Sequence, residues 1–79
     1  MINEVKELEQ NIVKMLGSYI LNIEQVSKLI NKSPATLGRW RKFGIGPEYR
    51  KIGNTRNATI EYTARAIAEY IVNNSIKTV

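Results

Sequence analysis

The stretch Asn22-Ile23-Glu24-Gln25-Val26-Ser27-Lys28-Leu29-Ile30-Asn31-Lys32-Ser33-Pro34-Ala35-Thr36-Leu37-Gly38-Arg39-Trp40-Arg41-Lys42-Phe43-Gly44 decides how this chain folds. Asn22 is a good helix N-cap, and Gln25, three residues on, completes a capping-box pattern. Ile23, Val26, Leu29 and Ile30 then fall on one helical face, and this helix is expected to stop near Asn31-Lys32. Ser33-Pro34 opens a second helix. Ser caps it, and Pro suits the first helical position because its missing N–H has no partner there in any case. Leu37 and Trp40 face inward, and Gly44 can take the left-handed conformation that ends helices. Two short helices joined by a tight turn, the second firmly capped, predict a helix-turn-helix.

Downstream, Gly44-Ile45-Gly46-Pro47 reads as a connector and Tyr49–Ile52 and Ala58–Tyr62 as two short strands. Gly53-Asn54-Thr55-Arg56-Asn57 between them is rich in turn residues, which makes a hairpin with a polar, basic tip. Ile60 and Tyr62 alternate with Thr59 and Glu61, as in a strand with one buried face. Arg50 shares a side with Ile52 and is expected to snorkel at the edge of the core. A last helix opens at Thr63, turns Ala64, Ile67, Ala68, Tyr70 and Ile71 inward, and frays around Asn73-Asn74, leaving residues 75–79 as a loose tail.

Upstream, Val5, Leu8, Ile12, Met15 and Tyr19 draw one apolar stripe along an amphipathic helix over residues 1–19, weakened at its end by Gly17-Ser18. The stripe is too short for a stable coiled coil alone and needs a surface, either the core of this domain or a second copy. The expected fold is therefore mostly α with a small β-hairpin: a winged helix-turn-helix over residues 20–74 with an extra N-terminal helix.

A chain of 79 residues has room for one domain and a modest core. It contains no His, no Cys and no Asp, and all seven carboxylate side chains are Glu. The commonest general base, the thiol nucleophile and most zinc ligands are thus missing, so neither catalysis nor a metal nor a cofactor is expected. No apolar run approaches the roughly 20 residues of a bilayer span. Glu4, Glu7 and Glu9 near the start are unlike a signal peptide, and the expected location is the cytoplasm, on the nucleoid. The net charge is +5 and uneven: residues 23–62 hold eight basic groups against three Glu, whereas residues 1–22 hold two Lys against three Glu. A basic middle suggests a polyanion partner.

From Ile20 to Asn73 the chain resembles the excisionase/MerR-like winged helix-turn-helix family, which includes the AlpA-like small prophage or mobile-element DNA-binding proteins. The resemblance lies in Leu21 to Ile30, in Ser33 to Lys42 with its Thr36-Leu37 and Trp40, in Gly46-Pro47-Glu48-Tyr49-Arg50-Lys51-Ile52-Gly53, and in the closing Ile67-Ala68-Glu69-Tyr70-Ile71. Against the family pattern, the wing is a few residues longer, Arg50 replaces an apolar residue, and Gly38 stands within the recognition helix. A mid-helix Gly costs roughly 1 kcal/mol against Ala, which close approach to a phosphate or a neighbouring helix would offset. Residues 1–19 lie outside the pattern.

The resemblance implies a sequence-specific binder of double-stranded DNA, acting as a transcriptional regulator, an excisionase, or both. In this class the second helix enters the major groove. Ala35, Thr36 and Arg39 then become the base-contacting residues. Arg39 suits the O6 and N7 of guanine, with phosphate or solvent as its alternative, and Ala35 and Thr36 suit a thymine methyl, with a phosphate as the alternative for Thr36. Lys28, Lys32, Ser33, Arg41 and Lys42 are assigned to the DNA backbone, Ser33 also serving as the cap. Lys51, Asn54, Arg56 and Asn57 line the wing, where Arg56 either enters a narrow minor groove or stays solvated at the tip. Trp40 belongs to the core rather than to base stacking. The partners on this reading are duplex DNA, a second copy or a cooperative array on it, and integrase or RNA polymerase, with no membrane. The alternative is an assembly or DNA-packaging adaptor that oligomerises through its N-terminal helix.

Overall fold

The computed structural model describes residues 2–53 and 58–74. Among these the chain forms four helices and one three-stranded antiparallel sheet, and it is mostly helical. In order they are α1 (Ile2–Leu16), β1 (Ile20–Leu21), α2 (Ile23–Ile30), α3 (Pro34–Phe43), β2 (Arg50–Ile52), β3 (Thr59–Thr63) and α4 (Ala64–Asn73). No helix among the described residues is long and apolar enough to cross a membrane. Asn54, Arg56 and Asn57, expected at a wing tip, and residues 75–79, expected as a loose tail, lie outside the described residues.

The caps of α2 and α3 form as their sequence dictates. Asn22 Oδ1 accepts from the Gln25 N–H at 2.8 Å, and Gln25 Oε1 accepts from the Asn22 N–H at 2.9 Å. Both satisfy amide donors that a helix start leaves unpaired. Asn31 closes α2 in the left-handed region at φ 58°. The Lys32 N–H then returns to the Ser27 carbonyl at 3.0 Å, and the Ser27 hydroxyl donates to the Lys32 carbonyl. These bonds fix the three-residue turn Asn31–Ser33. Ser33 Oγ accepts from the Thr36 N–H at 3.1 Å and starts α3, with Pro34 as its first residue.

The sheet runs β1-β3-β2. Leu21 pairs with Tyr62, and both are buried. In the hairpin, Arg50 faces Glu61, Lys51 faces Ile60 and Ile52 faces Thr59. Ile60 packs on the core, so Arg50 and Ile52 occupy the opposite, outer face. Arg50 therefore does not snorkel along the core edge. It is exposed and lies 4.0 Å from the Glu61 carboxylate, while Ile52 is 44% exposed. The alternation was read correctly, but the side it points to is solvent.

The core comprises Ile12, Leu21, Val26, Leu37, Tyr62, Ala64, Ile67 and Ala68, drawn from all four helices and two strands. Each large apolar side chain buried here contributes on the order of 1.5–3 kcal/mol. Helix α1 lies against α4, with Val5, Leu8, Ile12, Val13 and Leu16 on or next to the core and an ion pair from Glu9 to Arg65 at 3.8 Å. The N-terminal stripe thus meets this domain's own core over Val5, Leu8 and Ile12. Met15 and Tyr19 do not follow them: they are 64% and 63% exposed. The helix ends at Leu16, before Tyr19, where Gly17 turns to φ +73°.

Candidate nucleic-acid interface

The surface of interest starts at the turn between α2 and α3. Lys28, in the last turn of α2, and Lys32 and Ser33 in the turn surround a shallow hollow with Ser27 and Asn31. All but Ser27 are exposed. From Ser33 a polar chain runs up α3. Ser33 Oγ and Thr36 Oγ1 are hydrogen-bonded at 3.0 Å, and Arg39 Nη2 donates to Thr36 Oγ1 at 3.3 Å. Residues three apart in a helix are neighbours on its surface, so Ser33, Thr36 and Arg39 form one ridge. Ala35 lies exposed beside it, and Lys42 continues it one turn further.

The ridge exists because Leu37 is fully buried and fixes the rotation of α3. Trp40 packs beside it, half-buried against the core, with its ring 5.8 Å from that of Tyr70 on α4. Ala35, Arg39 and Lys42 are then on the far side by the period of the helix. Among the described residues, Lys28, Lys32, Arg39 and Lys42 have no acidic partner, whereas Arg50 and Arg65 are each held by Glu. Four unpaired cations on one strip make an anion-attracting surface.

Arg41 is not with them. It is half-buried, donates from Nη1 to the Tyr62 hydroxyl at 2.9 Å, and lies 5.9 Å from the centre of the Tyr49 ring. It ties α3 to the hairpin. The signal was present in the sequence, since Arg41 is four residues beyond the inward-facing Leu37 and a buried Tyr hydroxyl needs a partner. Lys51 is exposed on the edge strand β2. The other wing candidates, Asn54, Arg56 and Asn57, are outside the described residues.

Phe43 was not singled out from the sequence. It is 69% exposed in the last turn of α3, four residues beyond Arg39 and so on the same outward face. No protein family matches this chain, and neither a curated protein nor a solved structure matches it.

Proposed function

We propose that this chain is a sequence-specific double-stranded DNA-binding protein of the winged helix-turn-helix build, acting as a transcriptional regulator, an excision factor of a mobile element, or both. The observation that carries the reading is the strip Lys28, Lys32, Ser33, Thr36, Arg39 and Lys42, exposed apart from the half-buried Thr36, bonded from Ser33 through Thr36 to Arg39, and with its cations lacking acidic partners among the described residues. Helix α3 would enter the major groove, which admits a helix of this width. Arg39 reads a base edge, exchanging its long bond to Thr36 for guanine O6 and N7. Lys28, Lys32 and Lys42 hold phosphates, and the N-terminus of α3 adds the positive end of its dipole. The hairpin β2–β3 would act as the wing, placing Lys51 beside the minor groove. The resemblance of residues 20–73 to excisionase/MerR-like proteins supports the regulator or excision role.

Titration of a random-sequence duplex with the chain at two salt concentrations tests the first claim. Affinity is expected to fall linearly in log–log form as salt rises, because bound Lys and Arg release counterions. Undetectable or salt-independent binding would overturn the reading. Selection from a randomised duplex pool then tests Arg39: the variant Arg39→Ala is expected to lose discrimination at one position by about 1–3 kcal/mol. Footprinting on the preferred sites separates the two roles, several tandem protected sites marking an excision factor and a single two-fold site a regulator.

A further inference from the structure

Gly38 sits in the middle of α3, where glycine weakens a helix, and among the described residues no packing requires it. Among the described residues, and apart from its own helix backbone and chain neighbours, a Cβ built there would meet only Arg41 Nη2, at an ordinary contact distance of 3.7 Å. What does surround Gly38 is charge. The residues one turn on, Arg41 and Lys42, flank it at the three- and four-residue spacings that make helix neighbours. Lys42 is exposed, while Arg41 is held in place through Nη1 by the Tyr62 hydroxyl and from one side by the Tyr49 ring. The second amino group of that guanidinium, Nη2, is the atom turned toward Gly38.

We propose that Gly38, Arg41 and Lys42 form a seat for one backbone phosphate of duplex DNA, on the side of α3 next to the hairpin. The inference rests on the DNA-binding reading and adds a contact to it. The absent side chain lets a phosphate come close to the helix backbone. Arg41 Nη2 donates to it from a guanidinium whose orientation is already fixed, and Lys42 closes the other side. Tyr62 is a positioning residue: it acts on the phosphate only through Arg41. A seat between helix and hairpin would also set how α3 lies in the groove, because phosphate contacts fix register and orientation.

The experiment compares the wild-type chain with Gly38→Ala and Gly38→Leu on a random-sequence duplex. Both variants should melt higher, by roughly 4–8 °C, since each is a far better helix former than glycine. Both should bind the duplex more weakly, by about tenfold for Ala and more for Leu, as the phosphate is held off. Arg41→Gln should reduce the slope of log affinity against log salt by about 0.9, the loss of one phosphate contact. Tyr62→Phe should weaken binding several-fold without reducing the number of cations. Wild-type affinity in both Gly38 variants, or an unchanged salt slope in Arg41→Gln, would overturn the seat while leaving the DNA-binding reading intact. Failure of the wild-type chain itself to bind duplex in a salt-dependent way would remove both.

Discussion

At the scale of single residues, two glycines near Trp40 and Arg41 act in opposite ways. Gly46 has φ +86°, and a Cβ there would stand 2.5 Å from Trp40 Cε3, well inside van der Waals contact. Trp40 cannot simply move aside, because its ring also meets Tyr70 on α4. Gly46→Ala combines left-handed strain with a clash against an aromatic face, and is expected to destabilise the fold by about 2–4 kcal/mol. A lowered midpoint of urea unfolding at constant m-value checks this. An unchanged midpoint would mean that the connector is not packed on Trp40 as described. The contrast with Gly38 was only partly legible in the sequence, where Gly38 stands out as a glycine within a helix and Gly46 as part of the connector before Pro47. What separates them is the neighbour each would strike, and that depends on the path of the chain after Gly44. The ridge Ser33-Thr36-Arg39, by contrast, was legible, since one capping Ser and one buried Leu set the phase of a ten-residue helix.

At the scale of elements, α1 shows how far a periodic pattern reaches. The stripe Val5, Leu8, Ile12, Met15, Tyr19 has a mean spacing of 3.5 residues, whereas a straight helix turns every 3.6. Counted from Val5, Met15 has drifted roughly 80° off the inward direction, whereas Leu16 is only about 20° off. Leu16 accordingly packs against the core and Met15 is exposed. Strand β1 was not legible for a different reason: two residues are too few to show alternation, and Ile20–Leu21 is a strand only because β3 pairs with it. The adaptor reading needed the apolar face of α1 to be free for a second copy, and most of that face lies on this domain's core. Ile12→Ala is therefore expected to cost about 2–5 kcal/mol, the range for a large apolar side chain removed from a core. Met15→Ala should stay within about 0.5 kcal/mol of wild type. Chemical unfolding of the two variants, with sedimentation of each, decides between the roles. A destabilised Met15→Ala with loss of a dimer would return α1 to the interface.

At the scale of the whole molecule, charge and stability pull against each other. The chain carries +5, and Lys28, Lys32, Arg39 and Lys42 are exposed without carboxylate partners among the described residues, so they repel one another in the folded state. Their cost is screened as salt rises, since the Debye length shortens from about 30 Å at 0.01 M to about 10 Å at 0.1 M. A surface retained for binding rather than for folding should then respond to salt with two opposite signs. Between low and moderate salt the melting temperature of the free chain is expected to rise, while its affinity for duplex DNA falls. Replacing Lys28, Lys32 and Lys42 together by Ala should flatten both responses, lowering the salt slope of binding by about three units if each holds a phosphate. Thermal melts and duplex titrations across the same salt series measure the two on one set of samples. If the triple variant loses the binding slope but keeps the stability slope, the repulsion lies elsewhere, with Lys6, Lys14 and Lys51 as the next cations to remove. If it loses the stability slope alone, the strip is a charged surface with no part in DNA binding, and the functional reading fails on its own central observation.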